Sequence, residues 1–214
     1  MGSVKRFNIK RLKDEFNCSC FFETGTWKGD SVVLAAKHAF DKIYSSEIIP
    51  EIAQRAVERF RSDKRIHIVN DNSISALKNN LQYIDGNCLF WLDAHFPGSE
   101  EGINGYNDEE DEYLKYPLKR ELEIIANQRL QYKDVLIIDD LRIYEDNNYA
   151  SGNMPSNIIR PKERGIQFIE KLFSETHDIY RSLKDEGYLY LLPKQKYSRS
   201  FLSGINSMLF KKIY

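Results

Sequence analysis

The sequence lacks an excess of charge of either sign, a long apolar run and a large set of cysteines. It has 31 basic and 32 acidic side chains among 214 residues, a formal net charge of -1. Proteins that grip phosphate backbones carry a broad positive surface, so this balance argues against nucleic acid as a partner. No run approaches the length that spans a bilayer, and the polar, charged N-terminus lacks the apolar core of a signal peptide. We therefore expect a soluble, cytoplasmic protein.

The cysteines are too few and too irregular to form a framework. Cys18, Cys20 and Cys88 lie within apolar runs, and their odd number argues against disulfide pairing. A cysteine metal site would need a second pair of ligands at suitable spacing, which is not present. The sequence therefore predicts buried, reduced thiols.

Short apolar runs alternate with segments of helical period, which is typical of parallel strands joined by crossover helices. A chain of this length needs only one core, so we predict a single α/β domain over residues 1–214, with an N-terminal helix within 1–17. Its sheet should be mostly parallel and seven-stranded, with helices on both faces. The predicted parallel strands are Cys18–Glu23, Lys42–Glu47, Arg65–Val69, Cys88–Asp93 and Val135–Asp139.

Beyond residue 174 the pattern changes to strand-like pieces without helices between them. They should close the sheet with an antiparallel edge, although the sequence leaves their pairing open. The pieces are Ile179–Leu183, Tyr188–Leu192 and Met208–Ile213.

Two long segments, 98–113 and 145–165, follow neither period. The first is acidic and the second is rich in Asn, Ser, Gly and Pro. Such segments are often solvated surface. They also leave the carboxyl ends of strands, where open α/β sheets bind ligands, so both are candidate substrate loops or lids.

Two glycines bracket the turn after the first predicted strand. Gly25 and Gly29 let the backbone approach a ligand closely, and the following helix N-terminus offers free N–H groups. Their spacing is neither the dinucleotide pattern Gly-x-Gly-x-x-Gly nor a phosphate-binding P-loop. NAD and ATP are therefore not the first expectation for the ligand.

Glu47 ends the second strand, where a carboxylate can accept hydrogen bonds from both hydroxyls of a ribose. Asn70, Asp71 and Asn72 follow the third strand, at a level from which side chains can reach an adenine edge. An ordinary solvated carboxylate is the alternative for Glu47, and capping of the next helix is an equal explanation for the Asn-Asp-Asn run. The pattern favours a nucleoside site.

These segments resemble class I S-adenosylmethionine-dependent methyltransferases over residues of about 15 to 175. The matching parts are Glu23–Gly29, Ser46-Glu47 and Phe90–His95. The resemblance implies a Rossmann-like fold with S-adenosylmethionine as cofactor. Thr26 and Trp27 stand where the commonest form of the family has a further glycine. The cofactor-binding residues that the resemblance implies are Glu23, Thr24, Gly25, Thr26, Trp27, Gly29, Ser31, Glu47, Asp71, Asn72 and Asp93.

Three carboxylates end neighbouring strands. Asp93 closes the fourth strand and Asp139-Asp140 closes the fifth, so they should converge at one edge of the sheet as ligands of a hard cation such as Mg²⁺. The arrangement is similar to the metal-dependent sugar O-methyltransferases of the macrocin and novobiocin pathways and to catechol O-methyltransferase. Helix capping or simple solvent exposure is the alternative.

His95 lies two residues after Asp93. A neutral imidazole there could take the proton of an acceptor hydroxyl while the methyl group transfers, with Asp93 orienting the substrate. We therefore predict His95 and Asp93 as the catalytic residues, against a structural or surface role for His95.

The resemblance implies O-methylation of a sugar or nucleotide-linked sugar, in surface-glycan or secondary-metabolite biosynthesis. The alternatives are a metal-independent small-molecule methyltransferase and a noncatalytic nucleoside-binding or scaffold domain; a homo-oligomer is left open. Aromatic loop residues could stack on or hydrogen-bond to a sugar, and basic ones could clamp its phosphate. They are Tyr106, Tyr113, Tyr144 and Tyr149, and Arg160, Lys162 and Arg164.

Overall fold

A mixed sheet forms the centre of the computed structural model, which describes residues 3–197, 201, 203, 204 and 211–213. The strand order is β3-β2-β1-β4-β5-β7-β6-β8. β1 to β5 are mutually parallel, and β7, β6 and β8 pair antiparallel at the edge. The strands are β1 Cys18–Thr24, β2 Lys42–Glu47, β3 Ile66–Asn70, β4 Asn87–Leu92, β5 Val135–Ile138, β6 His177–Ser182, β7 Tyr188–Pro193 and β8 Lys211–Lys212.

The predicted fold class is confirmed: seven main strands, mostly parallel, with an antiparallel edge and a short eighth strand beside β6. β2 has the predicted bounds, and the other main strands differ from prediction by one or two residues at an end. The predicted strand Met208–Ile213 lies partly outside the described residues, and Lys211–Lys212 is the part seen as a strand. The pairing that the sequence left open is β5 with β7 and β7 with β6.

Helices cover both faces of the sheet, as predicted. One apolar cluster joins the sheet to α4, α6 and α7, and a second joins it to α1 and α2. The N-terminal helix predicted within 1–17 is α1. The helices are α1 Ile9–Phe16, α2 Asp30–Lys37, α3 Pro50–Phe60, α4 Ser73–Asn80, α5 Glu112–Lys115, α6 Leu118–Arg129 and α7 Gln167–Phe173, with short 3-10 turns at Val4–Arg6, Leu81–Tyr83, Ser99–Glu101 and Leu141–Ile143.

The register of the parallel strands brings their carboxyl ends to one level. Thr24 pairs with Ser46 in β2 and with Leu92 in β4, and Leu92 pairs with Ile138 in β5. Glu47 pairs with Asn70 of β3. The residues that follow these ends therefore meet along one edge, where an open α/β sheet binds its ligands.

The three cysteines are buried and free of disulfides, as predicted. Burial raises the pKa of the Cys18 thiol far above its ordinary value, which keeps it in the unreactive thiol form. Among the described residues, no helix is long and apolar enough to cross a membrane.

Candidate functional site

The turn after β1 is built for close approach of the backbone. Gly25 has φ +90°, and a Cβ there would lie 3.2 Å from the backbone oxygen of Asp93. The N–H groups of Gly25 and Thr26 both donate to the carbonyl of Ser46 at 3.0 Å. A side chain at position 25 would collide with the end of β4, so this glycine keeps the turn open beside β2 and β4.

Glu47 is buried, and each of its carboxylate oxygens accepts a backbone hydrogen bond. Oε2 accepts from the N–H of Trp27 and Oε1 from the N–H of Ile49, both at 3.0 Å. The carbonyl of Glu47 accepts from Nδ2 of Asn70 at 2.9 Å, which ties the ends of β2 and β3 together. The carboxylate is therefore fixed in place, and each oxygen keeps a further lone pair for a ligand.

Glu23 lies beneath the turn. Its carboxyl accepts hydrogen bonds from the hydroxyls of Ser31 and Ser45, and the Thr26 hydroxyl is bonded to that of Ser45. Burial raises the pKa of Glu23 to about 8, more than these hydroxyls lower it. Glu23 therefore supports the turn from below as a protonated acid at neutral pH.

A cavity of about 370 Å³ opens along this edge of the sheet. Of the predicted cofactor residues, Gly25, Trp27, Glu47, Asp71, Asn72 and Asp93 line it. The others hold the turn from below or beside it and do not line the cavity; they are Glu23, Thr24, Thr26, Gly29 and Ser31.

The residues after β3 have both of the roles considered for them. Asn72 caps α4, because its Oδ1 accepts from the N–H of Ser75 at 2.9 Å, and Oδ1 of Asp71 accepts from the N–H of Asn72 at 2.8 Å. Both residues also line the cavity. Capping holds them in place without removing them from the ligand's reach.

The predicted catalytic and metal residues lie together on another side of the cavity. Nδ1 of His95 is 3.6 Å from Oδ1 of Asp93, and its Nε2 is 3.4 Å from Oδ2 of Asp140. Nε of Arg142 donates to Oδ1 of Asp140 at 2.9 Å. Oδ1 of Asp139 accepts from the N–H of Asp140 at 2.7 Å. An imidazole is thus held between two carboxylates.

The two adjacent aspartates have opposite charge states. Burial, together with the nearby carboxylates of Asp93 and Asp140, raises the pKa of Asp139 well above its ordinary value. Burial also opposes ionisation of Asp140, but its contacts with His95 and Arg142 outweigh this and lower its pKa. Asp140 has φ 50°, a left-handed backbone that is strained for aspartate. Asp140 is the ionised partner of His95 at neutral pH.

The donors do not form a metal site in this arrangement. Among the described residues, no group of three His, Cys, Asp or Glu side chains could hold a metal ion. Asp93, Asp139 and Asp140 are hard oxygen donors of the kind Mg²⁺ prefers. The His95 and Arg142 contacts engage Asp140 instead, so no chemical step is derived through a metal.

Apolar and aromatic side chains from two loops line a further part of the cavity. Tyr106 and Tyr113 are among them, as predicted, whereas Tyr144 and Tyr149 are buried and do not line it. Phe96 packs edge-on against His95 and Tyr106. The remaining apolar lining residues after β4 and β5 are Ala94, Pro97, Leu114, Pro117, Met154, Pro155 and Ile158.

The three predicted phosphate-clamping residues do not line the cavity. Arg160 and Arg164 pair with Asp146, and Lys162 pairs with Glu112. Arg142 is the single arginine or lysine among the described lining residues, and Asp140 engages it. The proposed phosphate clamp at the cavity is therefore absent from the arrangement of the described loop residues.

Several cavity residues escaped the sequence analysis. Arg142 lies two residues after Asp140 and could have been suspected from that spacing. Glu101 and Glu186 line the cavity but stand in segments without any motif. The cause is that their positions depend on how distant loops fold back over the sheet edge.

Glu121 on α6 is a further buried acid near the site. Burial raises its pKa to about 7, against the hydroxyls of Ser73 and Thr24, which lower it. Its Oε1 has no hydrogen-bond partner in the part of the chain that the structure describes. Its place in an apolar helix stripe gave no signal in the sequence.

Comparisons with known proteins give the fold a name. No protein-family model matches the chain, and no curated protein matches it. Solved structures do match. A proposed caffeoyl-CoA O-methyltransferase from Staphylococcus aureus has a TM-score of 0.57 at 15% identity, with 91% of this chain and 85% of that chain covered.

Two other solved structures carry cofactor in their descriptions. The O-methyltransferase TomG from Streptomyces achromogenes, in complex with SAM, has a TM-score of 0.54 at 13% or less, namely 12%, identity. An O-methyltransferase from Bacillus cereus, in complex with SAH, has a TM-score of 0.53 at 12% identity. Each match covers 91% of this chain and 82% of the other. This chain therefore has the Rossmann-like fold of class I methyltransferases.

Proposed function

We propose that this protein is an S-adenosylmethionine-dependent O-methyltransferase that acts on the hydroxyl of a small molecule. The observation that carries the proposal is Glu47, a buried carboxylate held by two backbone N–H groups at the strand end where a ribose binds. It lines one cavity with the Gly25 turn and with His95. The fold shared with O-methyltransferases that bind SAM or SAH supports the same conclusion.

The residues present fit this cofactor. Gly25 leaves room where any side chain would meet the end of β4, and Glu47 offers acceptors to two ribose hydroxyls. The hydroxyl of Ser46, which is buried beside the cavity, has no hydrogen-bond partner among the described residues. Asp71 and Asn72 lie one strand further along, where the base would follow the ribose. A bound nucleoside would satisfy these groups.

The cofactor supplies the methyl group and a sulfur leaving group. As the acceptor oxygen bonds to the methyl carbon, the carbon–sulfur bond breaks and the sulfur keeps its electron pair. His95 takes the hydroxyl proton on a ring nitrogen, and ionised Asp140 stabilises the imidazolium that forms. Asp93 holds the other side of the ring. The protein's main task is to align the donor with the acceptor and to exclude water.

The acceptor is proposed to be a sugar hydroxyl, as the sequence resemblance implies. Tyr106 and Tyr113 offer ring faces and hydroxyls for such a molecule. Loops 98–113 and 145–165, which supply much of the lining, are proposed as the substrate loops of a single domain over residues 1–214. The positions of Arg160, Lys162 and Arg164 argue for a sugar without a phosphate.

Mg²⁺ assistance is a separate proposal that rests on Asp93, Asp139 and Asp140. Their oxygen donors suit the ion, but the contacts of His95 and Arg142 with Asp140 would have to rearrange. Assays of chelator-treated protein with and without added Mg²⁺ decide between the metal-assisted and metal-independent forms. Activity that needs added Mg²⁺ supports the ligands, and full activity without it assigns the chemistry to His95 alone.

Titration calorimetry with S-adenosylmethionine, S-adenosylhomocysteine and NAD tests the cofactor assignment. We expect the first two to bind and NAD not to bind. Transfer of a radiolabelled methyl group to a panel of glycosides and other hydroxyl compounds then tests the reaction. Lack of binding by S-adenosylmethionine would remove the proposal, and tight binding with no transfer to any acceptor would favour a noncatalytic nucleoside-binding domain.

A further inference from the structure

The turn between β1 and α2 is attached to a distant loop through Trp27. This residue has φ 42°, in the left-handed region where a side chain other than glycine is strained. Its indole Nε1 donates a hydrogen bond to Oε1 of Glu101 at 2.9 Å. Nζ of Lys28 lies 4.3 Å from the ring centroid, within the range of a cation–π contact. These contacts fix the direction of the Trp27 ring at the cavity.

Glu101 reaches a third element with its other oxygen. Oε2 accepts from Nη2 of Arg55 at 3.1 Å, and Arg55 lies on α3, the helix that follows Glu47. One carboxylate therefore joins the turn after β1, the loop after β4 and the helix after β2. Trp27, Glu47 and Glu101 line the same cavity. The connection lies on the side of the cavity that Glu47 assigns to the nucleoside.

This connection is built to be reversible. The side chains of Arg55 and Glu101 are 60% and 26% exposed, so solvent screens their ion pair. The 3-10 turn Ser99–Glu101 stands between Gly98 at φ +77° and Gly102 at φ +67°. Glycines at both ends allow the turn to move without disrupting a helix or strand.

We propose that Glu101 is a positioning residue that closes the turn 98–102 over bound S-adenosylmethionine by holding Trp27 and Arg55. The proposal rests on the proposed function, because it takes that cofactor as the ligand on the Glu47 side. Closure slows release of the cofactor and limits the access of water to it. Glu101 acts through Trp27, whose N–H is bonded to Glu47, and not by chemistry of its own.

Stopped-flow measurement of S-adenosylmethionine release from the full chain tests the role of Glu101. We expect Glu101→Ala to release the cofactor about tenfold faster than wild type, a change equivalent to about 1.4 kcal/mol. Glu101→Gln should restore slow release, because its amide oxygen still accepts from the Trp27 indole. Rescue by glutamine separates positioning from a general loss of structure, which thermal unfolding of each variant monitors.

A double-mutant cycle tests whether the effect passes through Trp27. Trp27→Phe removes the indole donor, so adding Glu101→Ala to it should change release much less than in the wild type. Glu110→Ala is the matched control, because Glu110 is an exposed acid in the same loop. It should release cofactor at the wild-type rate.

The outcomes separate this inference from the proposed function. Wild-type release from Glu101→Ala, or full additivity with Trp27→Phe, would overturn the role of Glu101 while leaving the cofactor assignment intact. Failure of the wild-type protein to bind S-adenosylmethionine would instead remove the proposed function and this inference with it.

Discussion

Nε2 of His95 lies 3.4 Å from Oδ2 of Asp140, although the two residues follow different strands of the sheet. His95 comes after β4 and Asp140 after β5, and the pairing of Leu92 with Ile138 brings these strand ends side by side. Because the pKa of Asp140 is lowered, its carboxylate is charged when the imidazole needs a stabilising partner. The sheet register therefore places a base and its counter-ion together.

Replacement of His95 tests the proposed base. We expect His95→Ala to bind S-adenosylmethionine as wild type does but to lose about 10²- to 10⁴-fold in methyl-transfer rate, the usual contribution of a general base. Calorimetry and single-turnover assays measure the two effects. His67→Ala, an exposed histidine on β3, is the control. Wild-type turnover in His95→Ala would exclude this residue from the mechanism.

Glu47 should determine cofactor affinity. Glu47→Gln removes the charge that two ribose hydroxyls would meet, and hydrogen bonds to charged groups contribute about 1.5–3 kcal/mol. We expect S-adenosylmethionine to bind roughly 10- to 100-fold more weakly by calorimetry. Glu51→Gln, an exposed acid on the following helix, should bind normally. Unchanged affinity in Glu47→Gln would place the ribose elsewhere.

Gly25 should tolerate no side chain. In Gly25→Ala the new Cβ would have φ +90° and lie 3.2 Å from the Asp93 carbonyl oxygen. Backbone strain of this kind costs about 1–3 kcal/mol, so we expect a lower melting temperature and weaker cofactor binding. Gly152→Ala is the matched control, with φ +80° and nothing within 4 Å. If both variants bind cofactor equally, the close approach at Gly25 is unimportant.

Glu23 should make the free energy of unfolding depend on pH. Burial raises its folded-state pKa to about 8, above its ordinary value of 4.5. Between these values the folded protein keeps a proton that the unfolded chain has lost, so stability falls as pH rises. The slope should be on the order of 1 kcal/mol per pH unit in that window. Urea unfolding from pH 5 to 8 measures it.

Glu23→Gln is the control for this pH dependence, because the amide can still bond to Ser31 and Ser45 but does not titrate. Its stability should vary less over the same range than that of the wild type. A variant with the same slope would assign the titration to other buried acids such as Glu121.

A buried ion pair away from the cavity should dominate the response to surface-neutral changes. Nε and Nη2 of Arg129 donate to Asp134 at 2.7 and 3.0 Å, and Arg129 also donates to the carbonyls of Ile84 and Gly86. Asp134→Ala leaves the guanidinium charge buried without its carboxylate, which costs about 3–5 kcal/mol. Calorimetric melting should show a drop of roughly 6–20 °C for a chain of this size.

The surface pair of Asp63 and Arg65 provides the comparison, because both side chains are partly exposed. Asp63→Ala should cost about 1 kcal/mol or less. Equal losses from the two variants would show that burial of the Arg129 pair adds nothing to stability.

Local pattern made much of the site predictable. The strand ends at Glu47, Asp93 and Asp139 could be placed because apolar runs stop there and the next residue is acidic. Parallel strands then bring those ends to one edge, so their meeting follows from topology. The phosphate clamp could not be judged in this way, because whether Arg160 faces the cavity or Asp146 depends on how its loop folds.

The sequence by itself determined the α/β order, the parallel sheet, the Gly25 turn and the carboxylates at the strand ends. These depend on side-chain period and on residues next to one another in the chain. Only the tertiary structure decided that Glu101 reaches Trp27 and Arg55, that Arg142 and His95 engage Asp140, and that Asp139 holds a proton. Such contacts and charge states arise from burial and from distances between residues far apart in sequence, which no local pattern records.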